Sequence, residues 1–222
     1  MQLRAEFFSK ICQQTVARRL GKLVEYDYLE RRVIQNGLGK DISVYLTTPK
    51  ALTEVRPRYP HRITSDLCKS DSIDHDIKLV SLRRRLEAIG CVTSYLTENV
   101  LQACGEFADS ERLEPFVRNH TDAALEFEKG GHKILAGLEF ENSLKNIDRY
   151  ARKLSAYYAD PRVPIVFYIY EAEGIKKAVA RAESGLVGLN RPRCFYASSR
   201  DVLSSGGECT FTNLRGDKIV LR

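Results

Sequence analysis

The chain has 222 residues, of which 43% are hydrophobic and 29% charged, with a formal net charge of +6. That apolar share can build a core and excludes wholesale disorder, and the length suits one medium domain or two small ones. No run approaches the roughly 18 consecutive apolar residues of a membrane span, and the opening MQLRAEFFSK lacks the apolar stretch of a secretory signal; a cytoplasmic location with no membrane partner is expected. The six cysteines (Cys12, Cys68, Cys91, Cys104, Cys194, Cys209) form no Cys-x-x-Cys pair and the four histidines show no zinc spacing, so the cysteines read as reduced core thiols.

The positive charge is unevenly spread. Residues 1–62 hold 12 Lys+Arg against 6 Asp+Glu, whereas residues 63–222 hold 23 of each. A basic N-terminal module on a neutral body fits a polyanionic partner, nucleic acid first and an acidic membrane surface more rarely. An ordinary solvated basic face is the plain alternative.

From Cys12 to Arg32 the apolar residues Val16, Leu20, Leu23 and Val24 fall at helical spacing beside Arg18, Arg19 and Lys22, which predicts a basic amphipathic helix. An extended YLERRVI, the turn-rich QNGLGKD with Gly37 and Gly39, and ISVYLTT then predict a β-hairpin. Helix followed by hairpin resembles the second half of a winged helix-turn-helix. The resemblance implies that the helix lies in the major groove with Gln13, Gln14 and Thr15 facing base edges. Arg18, Arg19 and Lys22, with Arg32 and Lys40 on the wing, would then meet phosphates. The preceding LRAEFFSKI supplies only one earlier helix, where the usual module has two, so either the module is trimmed or its start is missing. A helix and hairpin used for docking or dimerisation is the competing reading. Residues 51–73 lack periodicity and carry two prolines. This sets a module over 1–55, a linker over 56–73 and a body over 74–222.

In the body, DHDIKLVSLRRRLEAIG places Leu79, Leu82, Leu86 and Ile89 on one helical stripe. SYLTENVLQAC follows as a strand. HTDAALEFEKGGHKILAGLEFEN gives two strands around Lys129-Gly130-Gly131, and SLKNIDRYARKLSAYY a second helix. PIVFYIYE is a buried strand, AEGIKKAVARAESGL a helix, CFYAS a strand, and CTFTNLRGDKIVLR a terminal hairpin around Arg215-Gly216-Asp217. The order α-β-β-β-α-β-α-β defines an α/β body with a mixed sheet.

Its carboxylates carry the chemistry. Glu139 and Glu141 are two apart on a strand and share a face with Leu135 and Gly137, while Leu138 and Phe140 face the other way. Asp122 opens the neighbouring strand, so three carboxylates converge at a sheet edge. They would repel one another unless a divalent cation neutralised them, and hard oxygen ligands suit Mg²⁺ or Mn²⁺. Lys145, four residues beyond Glu141 and expected in the first turn of the next helix, can return to the same cleft. The competing reading makes these hydrated acids at a strand end, with Glu141 and Lys145 a solvent ion pair.

On these residues, 75–170 resembles the PD-(D/E)XK nuclease superfamily, whose core runs α-β-β-β-α-β. The resemblance implies that Asp122 is the second-strand acid and Glu139 the first acid of the third-strand motif. Glu141 stands where lysine is usual, a departure that passes the lysine's role to Lys145 on the following segment. The string from Glu139 to Lys145 followed by Arg149-Tyr150, together with FFSKIC leading into TVARRLGKLV, is similar to MobC-type plasmid relaxases, and the two-module order to replication-relaxation proteins. His75 and Asp76 read either as a core histidine with a neighbour or as a pair leaning over the metal site. Arg149 and Arg152 can meet a phosphate or lie in a solvated basic face, and Tyr150 and Tyr157 read as core. The expectation is a metal-dependent DNA endonuclease or nickase acting at a duplex site such as a plasmid origin, with a homodimer or an accessory protein as further partners. Its rivals are a DNA-binding regulator or replication accessory protein whose nuclease-like domain is inactive, and an adaptor that binds protein through the basic hairpin.

Overall fold

In the computed structural model, residues 12–35, 41–55, 72–103, 110–187 and 191–222 are described. The chain divides into two units, Met1–Ser65 and Asp66–Arg222. Most of the expected linker, 56–71, lies outside the described residues.

The first unit runs α1 (Gln13–Glu25), β1 (Leu29–Gln35), β2 (Asp41–Thr47) and α2 (Pro49–Val55). Helix α1 ends in a Schellman turn: Asp27 adopts φ 58°, its N–H reaches Val24 O, and the Tyr28 N–H reaches Leu23 O. That reversal starts β1, which pairs antiparallel with β2 from Leu29↔Thr47 to Gln35↔Asp41. The predicted helix and hairpin are present. The expected turn, 36–40 with Gly37, Gly39 and Lys40, lies outside the described residues. Helix α2 corrects the assignment of 51–55 to irregular chain. The Thr48 hydroxyl accepts the Ala51 N–H at 3.2 Å and Pro49 occupies the first helical position, a start signal hidden in TTPK. Cys12 is exposed, correcting its reading as a core thiol, and Cys91 is only partly buried; Cys194 and Cys209 are buried. Cys68 and Cys104 lie outside the described residues.

The second unit runs α3 (Ile73–Glu87), β3 (Val92–Thr97), α4 (Glu98–Ala103), α5 (Ser110–Arg118), β4 (Ala123–Lys129), β5 (His132–Glu141), α6 (Ile147–Ala159), β6 (Val166–Tyr170), α7 (Glu173–Val187), β7 (Cys194–Ser198), α8 (Ser199–Ser204), β8 (Cys209–Thr212) and β9 (Lys218–Leu221). The seven strands form one mixed sheet in sequential order, parallel only from β5 through β7. The sheet curls far enough that its edges meet: the Cys91 N–H, just before β3, donates to the Arg222 carbonyl just after β9 at 3.1 Å.

Alternation along each strand feeds two cores. One gathers Leu82 and Leu86 of α3, Ile89 just beyond it and Val202 of α8 with Phe127, Leu138, Phe167 and Phe211. The other gathers Phe116 of α5, Tyr150, Leu154 and Tyr157 of α6, and Val179 of α7 with Val166, Tyr168 and Tyr196. VFYIY is buried throughout because successive side chains enter opposite cores. Gly137 leaves room for α5, since a Cβ there would lie 3.2 Å from Phe116 Cε1. The fully buried Glu183 of α7 accepts the Tyr196 hydroxyl at 2.6 Å and the Cys194 N–H at 3.0 Å, together with the Tyr158 hydroxyl.

Two sequence expectations change. SYLTENVLQAC is strand only to Thr97; Glu98 begins α4, which drives Leu101 into the second core. The helix expected from Ser143 begins at Ile147, capped by Asn146 Oδ1 accepting the Asp148 N–H at 3.0 Å. Lys145 therefore precedes the helix instead of sitting in its first turn.

Candidate functional site

Two backbone devices place the site. Gly130 (φ 59°) and Gly131 (φ 77°) close a two-residue hairpin turn that sets the β4–β5 register from Lys129↔His132 to Ala123↔Leu138. One step beyond Ala123, that ladder brings Asp122 beside Glu139. At the other end of the connection, α5 stops in a second Schellman turn. His120 takes φ 47°, its N–H reaches Val117 O and the Thr121 N–H reaches Phe116 O. The turn aims Thr121 and Asp122 into the end of β5, where an Asp122 Oδ2 atom accepts the Phe140 N–H at 2.7 Å.

Glu139 is 4% exposed. Lys153 Nζ lies 2.5 Å from its Oε2, and the Tyr157 hydroxyl donates to its Oε1. Lys153 and Tyr157 are four apart on α6 and so present adjacent side chains to the strand. The Tyr157 hydroxyl also meets Thr121 Oγ1 at 2.7 Å, and Lys153 Nζ donates to His120 O at 3.3 Å. Burial pushes the Glu139 carboxyl up to about 8, with Lys153 opposing the rise and Asp122 adding to it. Burial alone would lower Lys153, but Glu139 and Asp122 outweigh it and hold the ammonium above its ordinary value.

Glu141, on the same strand face two residues on, is engaged separately. Lys145 Nζ lies 3.5 Å from its Oε1 and donates to Ser143 Oγ at 2.5 Å. The Glu141–Lys145 ion pair of the competing reading is thus present, on a loop, and the cation beside Glu139 is Lys153. His75, near the start of α3, stacks on Phe140 with ring centroids 5.2 Å apart and places Nε2 3.0 Å from the Phe140 carbonyl and 3.8 Å from Asp122 Oδ2. Asp76 lies 3.7 Å from its Nδ1. The ring is stacked on Phe140 and satisfied by its carbonyl, as the core-histidine reading expects, and it also faces Asp122. Asp76 first, followed by Asp122 and the Phe140 carbonyl, holds the imidazole above its ordinary value against the effect of burial.

Arg149 and Arg152 are exposed on α6. Tyr150 and Tyr157 are buried as expected, but both also have polar roles; the Tyr150 hydroxyl accepts the Lys145 N–H at 2.9 Å. Sequence reasoning missed Lys153 and Glu98. Lys153 could have been found as the one cation bordering the Tyr150-Leu154-Tyr157 stripe. Glu98, whose N–H donates to Asp122 O, is raised by burial and then by Asp122; no local pattern marks it.

Among the described residues, no group of three or more His, Cys, Asp or Glu side chains is arranged to hold a metal ion. Asp122 and Glu139 are hard oxygen donors of the kind a divalent cation takes, and in this structure Lys153 Nζ at Oε2 and the Tyr157 hydroxyl at Oε1 already engage Glu139, as the Phe140 N–H engages Asp122.

In the first unit, Gln13, Gln14, Arg18, Arg19 and Lys22 are exposed along α1, Thr15 is half-buried, and Arg32 forms a two-point pair with Glu30, its shorter contact 2.7 Å. An exposed pair of this kind is screened by solvent and exchanges readily for a phosphate.

Comparison with family models, with curated proteins and with solved structures gives no match. The mixed α/β fold and the geometry above therefore carry the functional reading by themselves.

Proposed function

We propose that the protein is a divalent-cation-dependent DNA endonuclease or nickase whose first unit is a winged-helix DNA reader and whose second has a restriction-endonuclease-like core. The observation that carries this is the convergence of Asp122, Glu139 and Lys153 at the end of β5, within an element order that supports the superfamily resemblance. Asp122 and Glu139 would hold Mg²⁺ or Mn²⁺, which supplies a lowered water pKa and neutralises phosphate charge.

Lys153 keeps a positive charge beside Glu139, where negative charge grows on a phosphate in the transition state, and so takes the role that the resemblance assigns to Lys145. Tyr157 fixes the Glu139 carboxylate through Oε1 and leaves Oε2 facing Lys153. His75 holds the Phe140 carbonyl, and with it the end of the strand. Lys145, with Arg149, stands at the exposed mouth beside Glu141, placed to meet the flanking phosphate. On α1, Arg18, Arg19 and Lys22 supply phosphate contacts and Gln13, Gln14 and Thr15 base contacts, with Arg32 on the wing. A plasmid-mobilisation relaxase is the system the resemblance favours.

The test is a nicking and cleavage assay on supercoiled plasmid with Mg²⁺, Mn²⁺ or chelator, run beside Mn²⁺ binding by electron paramagnetic resonance. Metal-dependent breakage that Asp122→Asn and Glu139→Gln abolish, with duplex binding retained, is expected. Duplex binding with neither breakage nor Mn²⁺ uptake would establish the rival reading, a DNA-binding regulator with an inactive nuclease-like domain.

A further inference from the structure

Residues 63–222 are electrically neutral, yet their cations are not evenly paired. At the end of the curled sheet opposite Asp122, a cleft of about 420 Å³ opens between the β4–β5 turn, the approach to β7 and the β8–β9 turn. Lys129, Arg191, Arg215 and Lys218 line it, with Asp217 the one acid among its lining residues. Phe195 and Ile219, both members of the first core, line it as well. Asp217 is already committed: its Oδ2 accepts the Asn213 side-chain N–H at 2.9 Å.

The neighbouring recess shows what an ordinary surface does with such charges. There Arg112 lies 3.4 Å and Lys133 3.6 Å from Glu126, and Arg162 contacts Glu114 at 2.5 Å and Asp160 at 2.7 Å. In the cleft, by contrast, Lys129, Arg191 and Lys218 have no carboxylate within ion-pair distance among the described residues. Cations from separate elements gathered around one mouth with so little acid repel one another, and an anionic ligand removes that repulsion.

We propose that this cleft binds phosphate groups of a nucleic-acid strand. The inference rests on the reading that the protein handles DNA, and adds a second contact region within the body. Two lysines and two arginines on four-carbon or guanidinium arms around an open mouth suit repeated backbone phosphates, which need charge and reach more than a fixed fork. Strand β5 runs from His132 to Glu141, which at about 3.3 Å per residue sets the cleft roughly 30 Å from the carboxylate end. That span corresponds to about nine nucleotide steps, so the bound phosphates belong to flanking sequence and not to the scissile step.

The experiment is a salt titration of a fluorescent 30-base-pair duplex binding the full chain in chelator, for the parent, for Lys129→Ala combined with Lys218→Ala, and for Asp122→Asn. Both lysines are exposed, so the fold should tolerate their removal, as circular dichroism will show. The double lysine variant should flatten the dependence of log K on log salt by up to about 1.8, or 0.9 per lost contact, and weaken binding at 0.1 M salt by about tenfold or more. Parent-like slope and affinity would overturn the proposal. So would inorganic pyrophosphate shifting the Asn213 and Lys218 amide resonances while duplex binding stays at the parent level, since that assigns the cleft to a small phosphate ligand. Asp122→Asn should keep the parent slope, so a chain that loses duplex affinity with the two lysines but breaks no DNA in Mg²⁺ or Mn²⁺ supports the cleft and sinks the nuclease reading alone.

Discussion

Lys153 Nζ lies 2.5 Å from Glu139 Oε2 at the buried end of β5. Above pH 8, where the raised Glu139 carboxyl is ionised, removing the lysine strands a buried carboxylate, which costs far more than the pair contributes. Lys153→Met should destabilise the second unit by on the order of 3 kcal/mol, with Glu139 taking up a proton as the partial remedy. Adding Glu139→Gln should recover much of the loss. Urea unfolding of the two single variants and the double one checks this, and additive effects would show that the contact is not energetically coupled.

The two lysines near the carboxylates should separate in kinetics. Lys153→Arg, which keeps the charge, should retain part of the cleavage rate. Lys145→Ala should lower the rate less than Asp122→Asn does, because its ammonium is spent on Glu141 and Ser143. Single-turnover cleavage on one duplex is the measurement. A collapse with Lys145→Ala and an unaffected rate in the Lys153 variants would return the role to Lys145.

Tyr157→Phe removes the hydroxyl that joins Glu139 to Thr121 and leaves both without that partner. A loss of about 1–2 kcal/mol is expected, with a slower cleavage rate at unchanged duplex affinity. If stability falls and the rate does not, Tyr157 is a structural residue only.

Asp160, 5% exposed, accepts hydrogen bonds from Arg162, including 2.7 Å to Nη2, and from Arg118 at 3.0 Å. Arg162 first, with Arg118 adding, holds its carboxyl well below the usual range. A group lowered by folding contributes stability that is present above its unfolded value near 3.8 and is lost as pH falls below it. Between pH 5 and 2 the parent should therefore lose more stability than Asp160→Asn, whose neutral side chain does not titrate. Parallel acid denaturation curves would contradict this.

On α1, Arg18→Ala combined with Arg19→Ala should flatten the salt slope of duplex binding by up to about 1.8. Changes at Gln13 or Gln14 should instead alter the preference among sequences, because base contacts specify where phosphate contacts position. Binding selections on randomised duplexes, run beside the salt titration, read both effects.

The sequence left α5 and α8 unassigned; by itself it determined the strands and the helices α3, α6 and α7 of the second unit, the helix and hairpin of the first, and the shared face of Glu139 and Glu141. Each of these rests on a local period: 3.6 for α6, two for β5, and a Gly-Gly turn between β4 and β5. It also placed Asp122 beside Glu139, since a two-residue hairpin fixes register. Where two structures compete for the same short segment, local pattern was insufficient. ENVLQA reads as strand by composition and becomes helix because Leu101 is buried on the far side of the sheet, and Pro49–Val55 is helical because Thr48 caps it. The tertiary structure alone decided that Lys153 and not Lys145 reaches Glu139, because helix α6 begins only after Asn146 and its rotation against β5 sets which cation meets the buried acid. It alone also gathered Lys129, Arg191, Arg215 and Lys218, separated by up to 89 positions in the chain. The curl that brings Cys91 to Arg222 draws distant strands toward one another, and curvature of that kind is a property of the whole sheet that no single segment encodes.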